Sequence, residues 1–196
     1  IIFFIFVVGA SFSVINATGA IEAGIEAAAR ALKGNERLAI PVLVILFSLG
    51  GAIFGMAEET LAFIPIIVPL MLALGFDSVT AAGIVLAGAN AGFSAAFMNP
   101  FTVGVAQGIA QLPLFSGMGL RLAAYASFVL VTAGYIFWYA GRVKANPTLS
   151  STYAEDRAKE QDLGLDKVRE FKPQHSLVLL VLLASVVTLV YGVVEL

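Results

Sequence analysis

The feature that most constrains this chain is a pair of hydrophobic stretches, residues 39–75 and 79–108, each interrupted by polar residues near its middle. Backbone that leaves the helix in hydrocarbon strands N–H and C=O groups. A membrane tolerates such a break only where protein or a water-filled cavity surrounds it. A soluble setting for these stretches is excluded by composition. The chain is 60% hydrophobic and only 12% charged, with a mean hydropathy of +0.96, whereas soluble domains carry about 25% charged residues. A soluble fold of 196 residues cannot bury so much apolar surface; a bilayer accepts it. The fold class expected is all-α integral membrane.

Two kinds of chemistry are excluded at once. There is no cysteine, so disulfides and thiolate metal sites are out. The one histidine, His175, sits at the edge of a charged stretch, so histidine-clustered metal sites are out as well. No signal peptide is legible, because the chain opens IIFFIFVVGA without a basic leader. Both ends fall inside apolar runs, which reads as a piece of a longer protein.

Seven segments follow along the chain. Residues 1–17 are the end of a span, too short for the roughly 20 apolar residues a crossing needs. Residues 18–38 read as an interfacial amphipathic helix and loop. Thr18 is its cap, Ile21, Ile25 and Leu32 share one face, Glu22, Glu26 and Arg30 share another, and Gly34 stops it. Residues 39–75 carry two apolar arms of about 15 and 14 residues. At 1.5 Å per residue each reaches about 21–23 Å, short of a hydrocarbon core of roughly 30 Å. Between them lies Gly55-Met56-Ala57-Glu58-Glu59-Thr60, with Gly50 and Gly51 before it and Pro65 and Pro69 after. Two short arms and a polar tip describe a re-entrant hairpin.

Asp77 or Ser78 caps the next helix. Residues 76–111 form a broken transmembrane helix, since the residue before Pro100 avoids the α region and Gly88, Asn90, Gly92, Ser94, Asn99 and Thr102 crowd the same run. Residues 112–142 are a loop and a span ending in the aromatic belt Tyr135, Phe137, Trp138 and Tyr139. Residues 143–175 are a charged cytoplasmic loop, and residues 176–196 are a final span.

Basic residues fix the orientation. Arg30, Lys33 and Arg37 precede the hairpin, and seven more lie between Arg142 and Lys172, leaving Arg121 alone of the eleven on the other side. The positive-inside rule makes the crowded side cytoplasmic. Two full spans in place of the hairpin preserve the same parity, so both paths stay open here.

Glu58 and Glu59 are the most informative residues, because an ionisable group at mid-bilayer costs about 2.5–3.5 kcal/mol on insertion scales. They read either as a tip lining an aqueous substrate or ion site, or as a tip that reaches water at the far interface. The short arms favour the first. Asn90, Ser94, Asn99 and Thr102 offer neutral polar groups, either as ligands near an unwound backbone or as hydrogen bonds between helices.

At this point the chain resembles a known family. MAEET at residues 56–60, ANAGFSAAFMNPFTVGVAQGIAQLPLFSG at residues 89–117 and INATGAIEAGI at residues 15–25 are similar to the YfcC/DcuC-type carriers, the C4-dicarboxylate anaerobic carrier family of the ion-transporter superfamily. The resemblance implies one repeat of an inverted-repeat transporter, with substrate and coupling ion between hairpin tip and helix break. Carried across, the substrate- and ion-binding residues are Glu58, Glu59, Thr60, Asn90, Gly92, Ser94, Asn99, Pro100 and Thr102. A sodium ion would lie near Thr60 and Asn99. Relatives with a Ser-Asn-Thr tip use it to hold sodium; this sequence keeps Thr60 and places two carboxylates before it, which suit protons or a cationic substrate.

The function expected is therefore a secondary active transporter of a small organic solute, an amino acid or a carboxylate, driven by a proton or sodium gradient or by exchange. A C4-dicarboxylate exchanger or efflux carrier is the nearest alternative. An intramembrane enzyme could use the adjacent glutamates as metal ligands or acid/base groups, but no histidine lies at membrane depth and no arginine follows the pair; a channel would more naturally present symmetric rings. No cofactor is expected beyond the coupling ion. The partners expected are the solute and the lipid bilayer, with no nucleic acid and with a homodimer left open, in a bacterial inner membrane crossed several times.

Overall fold

The computed structural model describes residues 34–162 together with Thr18, Gln174, Leu177, Val178, Leu180, Val181 and Ala184; the side chains of Phe54, Glu58, Glu59 and Asp162 fall outside that description. The expected span end at 1–17, nearly all of the interfacial helix at 18–38, the later part of the charged loop and most of the final span lie outside the described residues. Among the described residues every regular element is helical.

Helix α1 (Ala39–Leu49) runs into a π-type turn (Gly50–Phe54), the irregular residues 55–57, and a 3-10 turn (Glu58–Phe63) that leads into α2 (Ile64–Ala73). Helix α3 (Ser78–Ala82) continues through a second π turn (Gly83–Ala87) into α4 (Gly88–Ser94). Residues 95–99 are not helical, and the chain resumes with a third π turn (Pro100–Gly104) and α5 (Val105–Ile109). Helix α6 (Met118–Ala145) is the longest among the described residues, and α7 (Tyr153–Asp162) follows a short 3-10 turn.

Among the described residues two stretches are long and apolar enough to cross a bilayer: Glu36–Ile53, at mean hydropathy 1.8, and Met118–Ala145, at 1.6. Thr60–Ala73 and Ser78–Ser94 are apolar but shorter. The α6 helix runs through Arg142 and Lys144, which sit in its last turn, where the helix dipole favours cations. Its Leu120, Leu130, Val131 and Trp138 are exposed, a surface that suits lipid and would be costly in water.

The core forms where α1, α2, α3 and α6 converge on Ile40, Val44, Phe47, Met71, Ile84, Val85 and Ile136. The first arm packs on α4 and α6, and the second packs on α3. The two arms touch through Phe47 and Phe63, whose rings meet edge to face at 5.3 Å.

Small residues set the closest approach. A Cβ on Gly92 would lie 1.8 Å from the Ser48 carbonyl oxygen, and one on Gly51 would lie 2.1 Å from that of Ala89. No side chain fits at either place, so the backbones of α1 and α4 touch, the packing by which helices associate without a hydrophobic drive in lipid.

Candidate functional site

The tip turns on Gly55, which adopts φ +72°, a left-handed conformation that costs glycine nothing. Its amide and that of Met56 both donate to Gly50 O, the latter at 3.3 Å, so the carbonyl at the end of α1 is paired. Thr60 is buried, and its hydroxyl donates back to Ala57 O at 2.5 Å. The backbones of Glu58 and Glu59 lie in the 3-10 turn that starts the second arm.

The break lies directly against this tip. A Cβ on Gly55 would sit 2.8 Å from Asn99 Oδ1 and 2.8 Å from the Phe101 ring. Asn99 is wholly buried. At φ −58°, ψ 117° it has the extended conformation that a following proline imposes. Its Oδ1 accepts from Phe101 N (2.9 Å) and Thr102 N (3.2 Å), which caps the helix that resumes at Pro100. Its Nδ2 donates to Gly51 O at 3.3 Å, and Met98 N donates to Ala52 O at 3.3 Å. The unwound segment is thus stitched to the π turn of the first arm by one side-chain and one backbone hydrogen bond.

One polar atom is left over. Thr102 Oγ1 is buried without a hydrogen-bond partner, and it alone is so among the described residues. Leaving such a group unpaired costs about 1–3 kcal/mol, and native proteins hold only a few such groups.

The expected site residues separate into three sets. Asn99 ends the break beside Gly55, Thr102 lies in the π turn that follows and donates its amide to Asn99, and Pro100 between them is exposed. Gly92 packs on the Ser48 backbone, below the break on α4. Asn90 and Ser94 are exposed, and Asn90 Nδ2 donates to Leu86 O in its own helix at 2.8 Å, so neither bonds to the tip.

Sequence reasoning overlooked a third helix at this junction. Ser48 is fully buried; its hydroxyl donates to Ile45 O (2.8 Å) and shares a hydrogen bond with Tyr125 Oη on α6, also 2.8 Å. The Tyr125 ring meets Phe97, in the break, edge to face at 5.2 Å. Tyr125 therefore touches the first arm with its hydroxyl and the unwound segment with its ring. Each is a polar residue within an apolar helix, and hydroxyls there seek partners across helices. That signal was available, but not the identity of the partner.

Comparison with known proteins agrees with this architecture. The family model for the C4-dicarboxylate anaerobic carrier matches residues 1–196. The chain is 45% identical over 194 residues to a protein of Escherichia coli (strain K12) named "Putative basic amino acid antiporter YfcC", covering 99% of this chain and 38% of that protein. It is 38% identical over 154 residues to an uncharacterized protein of Haemophilus influenzae, covering 79% of this chain and 30% of that protein. The chain thus spans well under half the length of either relative. No solved structure matches it significantly.

Proposed function

Because this chain belongs to the C4-dicarboxylate anaerobic carrier family, we propose that it supplies one repeat of a secondary active transporter, whose solute and coupling-ion site lies where the residue 55–60 tip meets the residue 95–99 break and the π turn that follows it. The observation that carries the reading is the junction at Asn99. A fully buried amide bridges the two interruptions, and an unpaired buried hydroxyl, Thr102 Oγ1, stands three residues away.

The residues divide the work by their chemistry. Asn99 spends both lone pairs of Oδ1 on backbone amides and one amide proton on Gly51, so it holds the frame. Thr102 Oγ1 is the free neutral ligand for solute or ion. Glu58 and Glu59 supply the charge, binding a cationic or zwitterionic solute or exchanging protons with it. Thr60 and Asn99 flank a sodium position if sodium is the coupling ion. Asn90 and Ser94 face outward, available to the second repeat. Residues 39–75 act as a re-entrant hairpin and residues 76–111 as a broken span, in a multi-pass protein of the bacterial inner membrane.

Two solute classes compete. The family takes its name from C4-dicarboxylates, and the Escherichia coli relative is named for basic amino acids. Two adjacent carboxylates at the tip attract cations and repel dianions, which favours amino acids. The test is counterflow in proteoliposomes holding the full-length protein, with basic amino acids and C4-dicarboxylates offered in parallel. Amino-acid counterflow that Glu58→Gln and Glu59→Gln abolish supports the reading. Dicarboxylate counterflow indifferent to both substitutions overturns the solute class and the role of the carboxylates together.

A further inference from the structure

Away from the tip, the densest side-chain hydrogen bonding among the described residues gathers at the start of α3, about 25 Å along the helix from the break at 1.5 Å per residue. Asp77 is buried there and caps α3, its Oδ1 accepting from Thr80 N at 2.9 Å and Thr80 Oγ1 at 2.5 Å. Its Oδ2 accepts from Tyr139 Oη (3.0 Å) on α6 and Ser150 Oγ (2.6 Å) beyond it. A second carboxylate reaches the same helix end from α7. Asp156, also buried, accepts from Ser78 N (2.9 Å), from Ser78 Oγ, and from Thr152 Oγ1 (2.7 Å). Lys159 lies 3.8 Å from Asp156 and 3.4 Å from Ser78 Oγ, so the charge is partly balanced.

One helix start is thus capped twice, once by its own residue and once by a residue 78 positions later. Two negative groups at the positive end of a helix are each favoured by its dipole. Hydrogen bonds from neutral donors to carboxylates are stronger than neutral pairs. Helix α7 itself is polar and has little apolar surface with which to dock, so these bonds dominate its attachment.

We infer that Asp77 and Asp156 form a polar pin that makes the segment at residues 147–162 a fixed attachment of the broken helix, so that any displacement of that helix carries α7 with it. The consequence for transport rests on the carrier reading above; the pin does not. In the full-length protein with other cysteines replaced, spin labels at Leu86→Cys and Glu155→Cys report the separation of the two elements. The expected result is a single narrow distance distribution, which Asp156→Ala broadens toward longer distances and Asp156→Asn broadens less. A distribution already broad or bimodal in the unaltered pin overturns the inference, and so does an Asp156→Ala distribution identical to it. If Asp156→Ala does not yield folded protein, Ser78→Ala is read at the same label pair against the same two outcomes. The distances need no uptake, so a failure of the carrier reading and a failure of the pin are separately visible.

Discussion

The Asn99 side chain donates to the carbonyl of Gly51 at 3.3 Å, joining residues 48 positions apart where the unwound segment meets the π turn that ends the first arm. Asn99→Ala removes that bond and the cap on Phe101 and Thr102 together. A lost cap costs about 0.5–2 kcal/mol, and each buried group left unpaired costs about 1–3 kcal/mol. The purified full-length variant is expected to melt several degrees lower in detergent and to lose uptake. Asn99→Asp keeps the cap but turns an acceptor oxygen toward Gly51 O in a buried site, so it too is expected to melt below the parent. A melting point unchanged in Asn99→Ala contradicts the bridging role.

Contact between α1 and α4 is limited by backbone atoms, so it cannot give way by a rotamer change. Gly92→Ala would bring a methyl to within 1.8 Å of Ser48 O, and overpacking of this kind costs about 1–3 kcal/mol or more. Gly134→Ala on α6 meets nothing within 4 Å and raises helix propensity. Thermal unfolding of the pair is expected to show a large loss for the first and none for the second. Equal effects would mean that the contact yields.

Tyr125 is expected to act through two separable contacts. Tyr125→Phe deletes the hydrogen bond to Ser48 and keeps the edge-to-face contact with Phe97. Its cost is expected near 0.6 kcal/mol, the average for hydrogen bonds between membrane helices. Tyr125→Ala deletes both and is expected to cost about 3–5 kcal/mol, as for a large aromatic truncated in a core. Unfolding measurements on the two variants check the order, and a Phe variant as damaged as the Ala variant would put the energy in the hydroxyl instead.

What was legible in the sequence was local. Asn99-Pro100 announces a break because proline restricts its predecessor, and Asp77 three residues before Thr80 announces a cap. The aromatic residues and cations late in α6 announce an interface. What was not legible needed the packed chain. Asp77 reads as a simple cap, yet Tyr139 and Ser150 bond to it from 62 and 73 positions away. Asp156 lies in a charged stretch that looks solvated, and packing buries it. Asn90 looks like a companion to Asn99, but one helical turn of spacing lets it bond to its own helix at Leu86. Composition at membrane depth narrows which residues are polar for a reason, whereas their direction is set by tertiary contacts.

Thr102 gives the most direct test, because stability and function should part there. Its buried hydroxyl makes no bond in the folded chain, so removing it costs the fold nothing and relieves a desolvated group. Solute uptake by the full-length Thr102→Val protein in proteoliposomes, measured beside its melting temperature, is the decisive measurement. The prediction is uptake reduced at least about tenfold, corresponding to about 1.4 kcal/mol, with a melting temperature equal to or above that of the parent. Uptake unchanged in a protein of unchanged stability would contradict a solute or ion site at the junction of tip and break.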